Sequence, residues 1–81
     1  MSLRLQPVQV ATASLDTESQ LVFADGFLVA VLVHLSDDHG DLAGMWFLEA
    51  GFGRVNDPCP PMFADLDEAQ GWIEQRLARA A

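Results

Sequence analysis

The segment HLSDDHGD, residues 34–41, groups the side chains of this sequence that could most readily carry chemistry. It holds both histidines of the chain together with three aspartates. Imidazoles and carboxylates bind divalent metals and also act as general acids and bases. The candidate metal ligands in this segment are His34, Asp37, His39 and Asp41.

The spacing of these residues fails the established ligand templates. A calcium loop that starts at Asp37 needs glycine at its sixth position and glutamate at its twelfth, where this chain has Leu42 and Leu48. A structural zinc site needs a second cysteine or histidine cluster, and Cys59 is the only cysteine. We therefore expect no metal and no cofactor, and the segment favours a polar connection between strands in which Gly40 adopts positive φ.

Composition narrows the class of protein. The chain has 81 residues, which predicts one small domain over residues 1–81. Twelve acidic residues against four arginines give a net charge of −8, which disfavours binding to nucleic acid or to anionic membranes. The longest apolar run, residues 27–33, is far shorter than the roughly 20 residues of a membrane helix. A lone cysteine cannot form an internal disulfide, so we expect a cytoplasmic protein.

Four segments have the apolar patterning of β-strands: residues 8–13, 20–24, 27–36 and 44–52. The pair Asp25-Gly26 joins the second and third segments, and Asp-Gly is a preferred pair for a two-residue hairpin turn with positive φ. The four strands are therefore predicted to follow one another as an antiparallel meander.

A C-terminal helix is predicted from both its cap and its apolar stripe. Asp65 can act as the N-cap, and Glu68 lies three residues later, as in a capping box. Apolar residues then recur at spacings of three and four. These residues are Leu66, Ala69, Trp72, Ile73, Leu77 and Ala80. The predicted fold is α+β, a four-stranded antiparallel meander with one C-terminal helix packed on one face.

The third strand is apolar on both of its faces. In residues 27–35, the side chains that point to one face are all apolar, and those that point to the other face are apolar up to His34. A strand of this kind needs cover on both sides. One helix covers one face only. The second face could be covered by curling of the sheet, by the proline-rich loop of residues 53–63, by a ligand or by a second chain, and we expect a homodimer. The candidate interface residues are Leu28, Leu32, Trp46 and Leu48.

The sequence contains no convincing catalytic arrangement, so we expect a non-enzymatic interaction module that associates with itself through an apolar sheet face. A different protein is the alternative partner. A second hypothesis is a small-molecule-binding protein that uses the sheet face around Leu28, Leu32 and Trp46. A third is an enzyme or metalloprotein centred on His34 and His39.

Overall fold

The computed structural model describes residues 3–11 and 18–78, except for the side chains of residues 38 and 39. The regular elements are strands β1 (Leu3–Gln9), β2 (Glu18–Ala24), β3 (Phe27–His34) and β4 (Trp46–Gly51), followed by helix α1 (Leu66–Ala78). Two short 3-10 segments, Asp37–Leu42 and Gly53–Val55, lie on either side of β4 in the sequence.

The four strands form one antiparallel sheet in the order β1-β2-β3-β4. Each strand therefore pairs with the strand that follows it in the sequence, and the helix comes last. This confirms the predicted α+β meander with one C-terminal helix.

The first strand lies earlier in the sequence than predicted. It runs over Leu3–Gln9 instead of residues 8–13, and residues 12 and 13 are outside the described part of the chain. Leu3 and Leu5 pair with Ala24 and Val22, so the apolar alternation of the strand begins well before Pro7. An edge strand tolerates Pro7 because a proline removes only one backbone donor.

The Asp25-Gly26 turn fixes the pairing of β2 with β3. Asp25 has φ of 52° and Gly26 has φ of 88°, as a two-residue turn of this kind requires, which confirms the predicted hairpin. The register then shifts, because Val22 pairs with Ala30 whereas Phe23 pairs with Leu28. Val29 is thus the extra residue of a β-bulge, and both Val29 and Ala30 belong to the core.

The core lies between one face of the sheet and α1. Leu32 and Ile73 are fully buried in it, and so are Val55 and Phe63 from the loop between β4 and the helix. Leu3, Leu5 and the half-buried residues Leu66, Trp72 and Leu77 pack around this cluster. The predicted helix stripe is therefore the packed face of α1, although Ala80 lies outside the described residues.

Arg76 fastens the helix to the loop that precedes it. Its guanidinium donates to the carbonyl oxygens of Arg54 and Asn56 at 3.2 and 3.3 Å, and it lies 3.4 Å from an oxygen of Asp57. It also lies over the ring of Trp72, with its central carbon 5.1 Å from the ring centroid. One side chain thus satisfies loop carbonyls and holds α1 across the sheet.

The helix begins with the predicted cap. The backbone N–H of Glu68 donates to Oδ1 of Asp65 at 2.8 Å, and the Glu68 carboxylate accepts from the N–H of Ala64 at 3.0 Å. The first bond satisfies a donor that the first helical turn would leave unpaired, and the second joins the residue before the cap to that turn.

Asp65→Ala is expected to lower the free energy of unfolding by about 1 kcal/mol, because it removes the cap acceptor for the N–H of Glu68. Urea unfolding followed by far-ultraviolet circular dichroism measures this change. Glu74→Ala, at an exposed position in the middle of α1, is the matched control and should change stability by less than about 0.5 kcal/mol. Equal effects of the two variants would show that the cap does not stabilise the helix.

Candidate interaction surface

The histidine-rich segment forms an ordered connection between β3 and β4. β3 ends at His34, and Asp37–Leu42 follows as a 3-10 segment with a kink at Gly40, where φ is 58°. The positive φ expected at Gly40 is thus confirmed. Asp37 and Asp41 are exposed to solvent, as polar residues in a connection between apolar strands usually are.

His34 is held by three contacts. Its Nδ1 lies 3.0 Å from a carboxylate oxygen of Glu18, and its Nε2 lies 3.1 Å from the carbonyl oxygen of Gly44. Its ring stacks on Trp46, with the ring centroids 4.6 Å apart and the planes inclined by 20°. The side chain therefore joins the start of β2, the end of β3 and the start of β4.

This arrangement leaves His34 poorly placed to bind a metal. Both ring nitrogens face oxygen acceptors, so a metal would have to displace either Glu18 or the carbonyl of Gly44. Among the described side chains, no three of the types His, Cys, Asp and Glu lie close enough together to hold a metal ion. The side chain of His39 lies outside this description.

Three of the four candidate interface residues lie in the core instead of on a surface. Leu32 is fully buried, and Trp46 and Leu48 are 8% and 4% exposed in the cluster beneath α1. Leu28 is 37% exposed and pairs with Phe23. The bulge at Val29 explains this difference, because an inserted residue moves the side chains beyond it to the opposite face.

The face of the sheet opposite the helix, called here the open face, can be read from the strand register. Its side chains form three rows that run across the strands. The hairpin row, nearest the Asp25-Gly26 turn, is Arg4, Phe23, Leu28 and Phe52; the middle row is Gln6, Leu21, Val31 and Ala50; the distal row is Val8, Ser19, Val33 and Phe47. Phe52 joins the hairpin row just beyond β4, where its N–H donates to the carbonyl oxygen of Val29 at 2.9 Å.

The three rows differ in burial. In the distal row, the two central residues, Ser19 and Val33, are 0% and 2% exposed, whereas Val8 and Phe47 at its ends are half-buried. In the hairpin row, Leu28 and Phe52 are 37% and 48% exposed. The apolar residues of the hairpin and middle rows are also absent from the core cluster. These two rows therefore form an apolar surface that α1 does not reach.

Charge is nearly absent from this surface. Arg4 is the only charged residue in the three rows, and its guanidinium lies over the ring of Phe23, 4.9 Å from the centroid. Glu49 adjoins the middle row at a second bulge, between Leu48 and Ala50. The net charge of −8 therefore arises mainly from turns, loops and the helix, away from the open face.

An open cleft of about 720 Å³ lies at the distal end of the sheet. Its lining includes Glu18, His34 and Asp37 together with residues of β1 and of the connection to β4. None of the residues of the hairpin or middle rows lines it. The volume falls within the range of small-molecule sites, but the cleft is separate from the face proposed for a ligand on the basis of sequence.

Comparison of the chain with protein-family models, with curated proteins and with solved structures found no match in any of the three. Within the described part of the chain, α1 and the shorter helical segments are too short and too polar to span a membrane.

Zinc titrated into the protein is expected to bind no more tightly than about 1 μM, a dissociation constant that corresponds to about −8 kcal/mol. The reason is that both nitrogens of His34 already face acceptors. Isothermal titration calorimetry makes the measurement. Submicromolar binding that His34→Phe abolishes would show that a metal displaces Glu18 or Gly44 from the ring.

Proposed function

We propose that the protein is a non-enzymatic interaction module that associates with itself through the open face of its sheet. The observation that carries this proposal is the apolar surface formed by the hairpin and middle rows, which α1 leaves uncovered. Apolar side chains removed from water stabilise a complex by roughly 25 cal/mol per Å² of accessible area.

The size of this surface supports a specific but weak complex. Two rows across four strands measure roughly 19 by 13 Å, or about 250 Å² in projection. A specific interface is expected to bury about 500 Å² or more per partner, roughly twice this projected area, so two rows alone support only a weak complex. We therefore expect an equilibrium between monomer and dimer at micromolar protein concentration.

The nature of the surface favours a protein partner over a small molecule. The hairpin and middle rows lie outside the cleft, whereas a small ligand needs a concave site that surrounds it. Phe52 is exposed and Arg4 lies at the other end of the same row, and both are residue types that are enriched at protein interfaces. A second copy satisfies this chemistry, because its own open face is equally apolar and equally poor in charge.

Leu28→Glu is expected to weaken the dimer at least tenfold, because it places a carboxylate on the apolar surface without disturbing the core. Leu32 does not serve this purpose, since it is fully buried and a charge there would unfold the chain. Gln75→Glu, an exposed position on α1 with the same change of charge, should leave the dimer intact. Sedimentation equilibrium compares the wild-type chain with the Leu28→Glu and Gln75→Glu variants. A wild-type chain that stays monomeric up to about 100 μM would contradict the proposal.

Raising sodium chloride from about 0.05 to 0.5 M is expected to tighten the dimer, because it shortens the Debye length from roughly 14 to 4 Å. Two copies with a charge of −8 each repel one another, while their contact surfaces are nearly uncharged. Sedimentation equilibrium at a series of salt concentrations measures the effect. Weakening by salt would instead indicate a contact held by opposite charges, as with a basic partner.

A further inference from the structure

The open face carries enough detail to define how two copies would meet, and the inference below rests on the proposed self-association. We infer that the two copies stack face to face about a twofold axis. The axis lies in the plane between the two sheets and runs perpendicular to the strands, so that the hairpin row of each copy lies over the middle row of its partner. Three features of the sheet lead to this arrangement.

The edges of the sheet are unsuited to pairing with another chain. At the outer edge of β1, Pro7 has no N–H to donate. At the outer edge of β4, the N–H and C=O of Trp46 already bond to Phe63 at 2.8 and 2.9 Å, and the bulge at Glu49 interrupts the strand. Such features are known to prevent edge-to-edge association. The contact must therefore use a face, which gives a closed pair instead of a growing sheet.

The burial of Ser19 and Val33 in the distal row favours an axis perpendicular to the strands over one parallel to them. An axis parallel to the strands would place the distal ends of both copies together, where Ser19 and Val33 are already covered within each chain. An axis perpendicular to the strands places these ends at opposite ends of the pair. The hairpin and middle rows then form the contact, and the buried residues of the distal row, which offer no further apolar area, lie outside it; this is one of the aligned packings that stacked sheets adopt.

The side chains of the two rows are complementary in size in this arrangement. Each strand lies over the same strand of the partner, and a larger side chain of the hairpin row lies over a smaller or equal one of the middle row. The facing pairs are Arg4 with Gln6, Phe23 with Leu21, Leu28 with Val31 and Phe52 with Ala50. Arg4 faces an amide that can accept its hydrogen bond, and it does not face the other Arg4.

Thiol cross-linking tests the direction of the axis in the full chain. Cys59, which is free and exposed, is first replaced by serine so that introduced cysteines react alone. Stacked sheets lie roughly 10 Å apart, rows are spaced by about 7 Å and strands by about 5 Å. The proposed axis then brings residue 6 within roughly 12 Å of residue 6 of the partner and leaves it about 19 Å from residue 50 of the partner.

The experiment uses Gln6→Cys and Ala50→Cys chains of different mass, mixed and treated with a bifunctional maleimide whose reach is about 12 Å. We expect dimers cross-linked between identical positions and little product that joins position 6 to position 50. Arg4→Cys mixed with Gln6→Cys provides a second test, since these positions face each other and should cross-link efficiently. Gln75→Cys on α1 is the control and should not cross-link.

The possible failures can be told apart. A dimer in which positions 6 and 50 join to each other would overturn the perpendicular axis and leave self-association standing. A dimer that none of these positions cross-links would overturn face-to-face stacking. A wild-type chain that sedimentation equilibrium shows to be monomeric would overturn both this inference and the proposed function.

Discussion

The hydrogen-bond register between β2 and β3 is the constraint on which the rest of this structure depends. The Asp25-Gly26 turn sets that register, because both residues adopt the positive φ that a tight hairpin needs. The bulge at Val29 then changes it by one residue. Side chains alternate between the two faces of the sheet on either side of the bulge, and the inserted residue reverses which positions point to which face, so these few residues decide what α1 covers.

A small number of polar contacts around the apolar core hold α1 against one face of the sheet. Asp65 and Glu68 start the helix, and Arg76 joins it to the loop after β4. Gly51 allows that loop to pass close beneath the sheet, because a Cβ at this position would lie 2.6 Å from the carbonyl oxygen of Val55. The helix can therefore lie across one face of the sheet, and the described residues include no second α-helix for the other face.

Local patterns predicted the fold class, the hairpin turn and the helix cap, because each depends on residues adjacent in the sequence. The surface was harder to predict. Alternation placed Leu28 with Leu32, but a bulge depends on pairing with a neighbouring strand and has no clear signal in β3 alone. Trp46 was similarly predicted to lie at an interface, although it packs between the ring of His34 and the core. The stack with His34 depends on strand pairing, which the composition of residues 34–41 does not reveal.

The distribution of charge gives a reason why an exposed apolar face need not lead to aggregation. The net charge of −8 makes two copies repel each other at long range, while the three rows of the open face contain one charged residue, Arg4. In the proposed dimer, contact between two open faces removes apolar area from water and so offsets this repulsion. Pro7 and the Phe63 bridge block the approach by the edges. If the protein associates as proposed, repulsion, blocked edges and one apolar face would together favour a pair of copies over a larger assembly.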